Sequence, residues 1–206
     1  AIKRAGDAAA VVELYRTVSS ESRPGALLKA VFGISDYPHT MPIGVVASDK
    51  LFATLTKLSK HSIPQKYEDE RGRLLDSYVD GHKYVFGKRA AVYGDPDFVI
   101  GICAFLAEIG MHPVIAATGT RTGAMKHLLD TLIENKSFAP IIVEETSDFA
   151  KLEEDVKQQE VEILIGNSKG YGISKRLGIP LVRVGFPIHD RIGASRILHI
   201  GYRGTQ

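Results

Sequence analysis

Two regimes of hydrophobic patterning divide this chain near Arg89. Beyond it, short apolar, β-branched runs recur at 89–93, 113–117, 140–144, 162–166 and 180–184, separated by amphipathic stretches at 96–109, 123–135, 148–159 and 169–177. Continuous apolar runs of this length are how strands buried on both faces read, and strands alternating with helices require crossovers. The pattern predicts right-handed βαβ units and a mainly parallel, Rossmann-like α/β sheet with flanking helices. Such sheets carry their functional loops outside the carboxyl ends of the strands. Those ends are Gly94–Asp97, Thr118–Gly123, Glu144–Thr146, Gly166–Gly170 and the stretch that follows Val184.

Before Arg89 the signals are helical and mixed. Residues 7–19, rich in Ala and Val, read as a helix broken by Ser22, Pro24 and Gly25; residues 26–34 fit helix or strand equally, and Ser35 to Thr40 reads as loop. Ser48-Asp49 reads as the N-cap of a helix to about Lys60, with Leu51, Phe52, Leu55 and Leu58 on one face. Pro64 suits the first turn of a further helix over 64–86, about 35 Å long, with Leu74, Leu75, Tyr78, Val79, His82 and Phe86 at helical spacing. That helix reads as a connector, which divides the chain into a partial α/β and helical segment at 1–87 and a Rossmann-like domain at 88–206.

Composition narrows the function classes. A net charge of +2 is too small to suggest a nucleic-acid or membrane-surface partner, and no apolar run approaches the ~18 residues of a membrane span. With no signal-peptide pattern at Ala1, the expectation is cytoplasmic. The single cysteine, Cys103, excludes an internal disulfide and an all-cysteine iron–sulfur site of about four thiolates, and it reads as a small buried hydrophobe.

The strand-end motifs are mostly structural. Tyr93-Gly-Asp-Pro-Asp-Phe98 lacks the glycines of a dinucleotide fingerprint, and Asp95 and Asp97 would repel a phosphate there; Asp95 reads as an N-cap with Pro96 in the first turn. Thr118–Gly123 could hold an anion on backbone N–H groups and Arg121. Gly166-Asn-Ser-Lys-Gly170 matches the nucleophile-elbow pattern Gly-x-Ser-x-Gly, with Asp190 and His199 following in hydrolase order; little chain follows Ser168 to carry them and no oxyanion element precedes it, which leaves a serine hydrolase using Ser168 as a remote alternative. Asp76 and Asp80 share a helix face, an arrangement that invites Arg73 and Lys83, or a hard cation or a partner-chain arginine at a subunit contact. None of the seven histidines pairs at zinc-ligand spacing, and His189 stands out for its neighbours Asp190 and Arg191.

In order along the chain, several runs resemble the nitrogenase component 1 family. They are Met41-Pro-Ile-Gly44 with Ser48-Asp49, Glu70-Arg-Gly-Arg-Leu-Leu-Asp76, Asp80-Gly-His82, Gly87-Lys-Arg89 and Tyr93–Phe98. Ile165-Gly-Asn-Ser168, Gly178–Arg191 and Gly201-Tyr-Arg-Gly-Thr205 complete the set, which covers the chain from about residue 41 to its end. Within the family the match is to beta-type subunits. Pro64–Tyr67, His82-Lys-Tyr84, Ile115–Thr120, residues 188–193 and Arg196-Ile-Leu198 tilt it toward the scaffold on which the iron–molybdenum cofactor is assembled, ahead of the beta chain of the molybdenum–iron protein.

The resemblance implies a C-terminal half of a chain about twice as long, non-catalytic by itself, within a family of oxidoreductases. It implies an alpha-like, E-type partner in a heterotetramer. It also implies that any iron–sulfur cluster or cofactor precursor belongs to the full complex, with no ligand for either in this segment. Asp76 and Asp80 match beta-chain positions where a cation can bridge subunits. Gly185, His189, Asp190, Arg191, Tyr202 and Arg203 are the expected subunit-contact residues.

Overall fold

The computed structural model describes residues 2–133 and 139–206. Five parallel strands form the main sheet in the order β5-β4-β3-β6-β7. They are β3 (Arg89–Tyr93), β4 (His112–Thr118), β5 (Ile142–Glu145), β6 (Ile163–Gly166) and β7 (Leu181–Arg183). The intervening helices are α4 (Pro96–Glu108), α5 (Met125–Leu132), α6 (Phe149–Gln158) and α7 (Tyr171–Leu177), the last preceded by a 3₁₀ turn at Ser168–Gly170. This is the α/β class expected from the pattern. The expected helix at 123–135 begins at Met125, and its last two residues lie outside the described ones.

Both faces of the sheet are covered. On one, α4 and α5 pack Val99, Cys103, Leu106, Met125 and Leu129 against Val92 and Ala116. On the other, Leu152, Val156 and Ile173 of α6 and α7 meet Ala91, Ile115 and Leu164. Pro113, which offers no N–H to a ladder, sits where the β3–β4 register slips between Ala90 and Ala91, so the proline is absorbed by a bulge.

The first part of the chain departs most from expectation. Residues 7–19 are not a helix: a 3₁₀ turn at Ile2–Asp7 leads into β1 (Ala10–Glu13), which pairs in parallel with β2 (Ser35–Pro38), itself expected as loop. Val11 and Val12 favour an extended backbone, and pairing with β2 overrides the helical preference of the alanines. The ambiguous run is α1 (Pro24–Phe32), and Pro24 starts this helix instead of breaking one.

The next helix, α2 (Val45–Ser59), begins a turn before Ser48-Asp49, with Gly44 at the cap position. Ser48 is buried inside it and Asp49 pairs with Arg71. The long helix is α3 (Gln65–Val85); Leu74 is its buried residue, while Leu75, Val79 and Phe86 stand exposed. The chain ends in a short helix, α8 (Gly201–Thr205), which crosses back to pack on α2 and α3.

Candidate functional site

β3 is flanked by β4 on one side and β6 on the other, so the chain leaves it in opposite directions, and a crevice opens at the carboxyl ends there. It is a cleft of about 790 Å³ whose walls include Tyr93, Phe98, Asn167, Val184, Leu198 and His199. Its rim is built from the strand-end loops, and each of the acidic and hydroxyl groups noted in the sequence has an internal task. Asp95 caps α4, accepting from the Phe98 N–H. Asp97, buried, accepts from the N–H groups of Arg16 and Thr17 and from the Thr17 hydroxyl. No pyrophosphate cradle is left at this turn.

The Thr118–Gly123 loop does hold an anion, and the anion is the chain's own. The Glu145 carboxylate accepts from Thr122 N (2.8 Å), Thr122 Oγ1 (2.6 Å) and Gly123 N (2.9 Å). Burial alone would raise this carboxyl, but the combined hydrogen bonds hold it below the usual carboxylate range.

The Gly-x-Ser-x-Gly pattern has a packing cause. A Cβ on Gly166 would lie 2.5 Å from the Tyr93 carbonyl oxygen, and one on Gly170 would lie 2.0 Å from the Tyr93 hydroxyl. The glycines admit the Tyr93 ring, whose hydroxyl donates to the Asn167 carbonyl and whose phenol is pushed up to about 12 by burial. Ser168, buried, donates to the Pro187 carbonyl (3.1 Å), accepts from His189 N (3.3 Å) and lies 3.0 Å from His189 Nδ1.

The expected hydrolase order is not assembled. His199 sits edge-on to Phe98, with ring centroids 5.8 Å apart, and burial pushes its imidazole pKa down. Asp190 is held by Arg183 at 2.7 Å, and the guanidinium keeps its carboxyl below the ordinary value. Ser168 therefore clasps the loop after β7 to the loop after β6.

Of the expected contact residues, His189, Asp190, Arg191 and Arg203 are exposed and Gly185 is half-buried, in the left-handed region at φ 74. Tyr202 is turned inward at 3% exposure. It stacks on Phe52 at 5.0 Å with planes 5° apart, and donates to Asp49 Oδ1 at 2.7 Å, while Arg71 grips the same carboxylate. Gly201 N to the Pro42 carbonyl (2.7 Å) and Gly44 N to the Thr205 hydroxyl (3.0 Å) complete the hold on α8.

The stretch from Phe186 to Ile200 is thus anchored at both ends. It exposes Phe186 (87%), Ile192 (108%) and Ile197 (60%) beside the charged residues. Sequence reading by strand and helix periods passed over these apolar residues; the available signal was apolar residues inside a Gly- and Pro-punctuated loop.

Metal chemistry finds no donor set here. Among the described residues no group of three His, Cys, Asp or Glu could hold an ion. Cys103 is fully buried among aliphatic side chains, and burial pushes its thiol well above the usual range, so its one sulfur does not fit a cluster. Asp76 and Asp80 both face solvent on α3 and form no ion pair with Arg73 or Lys83. No helix among the described residues is long and apolar enough to cross a membrane.

Comparison with known proteins gives this architecture a family. The chain is 38% identical over 195 residues to the nitrogenase molybdenum–iron protein beta chain of Methanothermobacter thermautotrophicus, covering 94% of this chain and 41% of that one. It is 34% identical over 164 residues to the beta chain of the same name from Clostridium pasteurianum, covering 80% and 36%. The chain therefore spans about two fifths of the length of these relatives. Among solved structures, one described as nitrogenase Cp1 at pH 6.5 superposes with a TM-score of 0.89 at 29% identity, over 97% of this chain and 43% of that one. With residues 1–206 also matching the family model described as nitrogenase component 1 type oxidoreductase, the chain belongs to that family.

Proposed function

We propose that these 206 residues are a segment of a beta-type chain of a nitrogenase component 1 assembly, and that they supply architecture and subunit contacts instead of cluster ligands. One observation carries the reading: relatives matched over most of the segment bear the beta-chain name. Among the described residues no donor set fits a cluster, and in this reading the iron–sulfur and iron–molybdenum centres are held by other parts of a full complex. In this reading residues 1–87 complete one domain and 88–206 form another, the partner is an alpha-like subunit in a heterotetramer, and the compartment is cytoplasmic. The tail residues Phe186, His189, Asp190, Arg191 and Arg203 form contact surface. Asp76 and Asp80 await cationic or metal partners from another subunit.

The relatives' names favour a beta chain of the nitrogen-reducing enzyme over a subunit of the cofactor-assembly scaffold, which the sequence alone had placed first. The scaffold remains the second reading, on the residue runs at 64–67, 82–84 and 188–193. A full-length chain assembled with its alpha-like partner separates the two. Dinitrogen reduction by the loaded complex, with reductant and the electron-donating component supplied, supports the enzyme reading. A complex that matures and hands on cofactor without reducing dinitrogen supports the scaffold, and one that does neither refutes both.

A further inference from the structure

A second cleft, of about 620 Å³, opens between α2, α4 and the loops around Arg16 and His39. Its walls are apolar, with Ile43, Val46 and Leu132 among them, and alanines at 47, 104 and 107 keep it open. The volume falls in the range of small-molecule sites, about 300–1,000 Å³.

The rim carries Arg16, Lys50 and His39. Arg16 and Lys50 are exposed, and neither enters any ion pair formed among the described residues. Arg16 and His39 line the same cleft, where burial, reinforced by the positive charge of Arg16, pushes the His39 imidazole pKa down. The one acid on the wall, Glu108, already serves the start of α2: its carboxylate accepts from Val45 N (2.9 Å), Val46 N (3.3 Å) and the Tyr78 hydroxyl (3.0 Å). The cleft thus presents an apolar body with two cations at its mouth that form no ion pair among the described residues, and one acid on its wall that is committed to α2.

We propose that this cleft binds an anionic amphiphile, with a single carboxylate or sulfonate head at Arg16 and Lys50 and an aliphatic or aromatic body against Ile43, Ala104 and Leu132. A bare phosphate would leave the apolar walls wet, and a neutral hydrocarbon would leave the cations unused. The site shares no residue with the tail surface, so it stands or falls separately from the docking role.

The test is calorimetric titration of the assembled full-length complex with laurate and, in parallel, with 1-dodecanol. Laurate should bind with an affinity that falls as salt rises, and dodecanol about tenfold more weakly. Replacing the cations (Arg16→Gln with Lys50→Gln) should weaken laurate about tenfold and leave dodecanol unchanged. Filling the cleft, by Ala104→Leu or by Ala53→Leu on the exposed side of α2, should abolish both without lowering the melting temperature. The proposal is overturned if laurate binds the cation-free or filled variants as it binds the parent, if the two probes bind alike, or if laurate binds only the isolated 206-residue chain.

Discussion

Unlatching α8 is the sharpest perturbation the structure offers. Tyr202 is the side chain that fixes the end of the tail: a buried ring on Phe52, with its hydroxyl on an Asp49 carboxylate that Arg71 already grips. Tyr202→Phe keeps the stack and removes one hydrogen bond to a charged acceptor, which is worth about 1.5–3 kcal/mol in a buried setting. Asp49 is 39% exposed on its side chain, so water replaces part of that loss and about 1 kcal/mol is expected. Tyr202→Ala also removes the ring and costs about 3–5 kcal/mol.

With only the Gly201–Pro42 and Thr205–Gly44 hydrogen bonds left, α8 should detach. The assay is limited trypsinolysis at Arg191, Arg196 and Arg203: about fivefold faster cleavage in Tyr202→Phe and more than a hundredfold in Tyr202→Ala, from the exponential of those energies over RT. The Asp49 carboxyl is held below its unfolded value by its Arg71 and Tyr202 partners, against the opposing effect of burial. Its stabilisation is therefore present above the unfolded carboxylate pKa and lost as pH falls through the lower, folded one. Tail protection, followed in this acidic window by amide hydrogen exchange, should weaken in the parent and change less in Asp49→Asn. Cleavage of Tyr202→Ala at the parent's rate would mean that Tyr202 does not hold α8 in place.

Other outcomes follow from single contacts. Gly170→Ala places a methyl on the Tyr93 hydroxyl, so denaturant unfolding should show a loss of about 3 kcal/mol or more, against under 1 for Gly119→Ala, where a Cβ meets nothing within 4 Å. Ser168→Ala should cost about 1 kcal/mol by the same measurement and leave an esterase probe's background labelling unchanged, because the hydroxyl holds a loop and has no assembled triad. Cys103 should resist a thiol reagent in the folded chain and react at once in denaturant; rapid labelling of the native chain would contradict its burial.

The sheet was legible because its information is local. The run 89–93 is reproduced as β3, and Asp95 with Pro96 starts α4 through a cap three residues long. What sequence reading missed lies in partners far along the chain. The N-termini of α1 and α2 have no side-chain cap of their own; Glu13 reaches the Gly25 N–H across 12 residues, and Glu108 reaches Val45 across 63. A search for Ser or Asp next to a helix start could only settle on Ser48-Asp49, whose groups are used otherwise.

The glycines of Gly-x-Ser-x-Gly imitate a catalytic elbow because a tyrosine on a neighbouring strand needs the same absence of Cβ. Tyr202, expected as a subunit-contact residue, is buried because α8 returns to α2 and α3, a tertiary contact that no local period encodes. In the proposed contact surface, the charges at 189–191 were legible as a cluster, whereas the exposure of Phe186, Ile192 and Ile197 emerged only once both ends of the tail were placed.

In the proposed function the strand-end tail is a subunit contact of a beta-type chain. Native mass spectrometry of the full-length chain mixed with its alpha-like partner measures it directly, using the parent and a Phe186→Asp, Arg191→Glu double variant. Both substitutions fall on exposed side chains, so the variant should keep the parent's melting temperature. The parent should assemble, and the variant's assembly should be weakened at least about tenfold by the loss of one apolar anchor and one charged contact. Equal assembly by parent and variant would contradict this contact role.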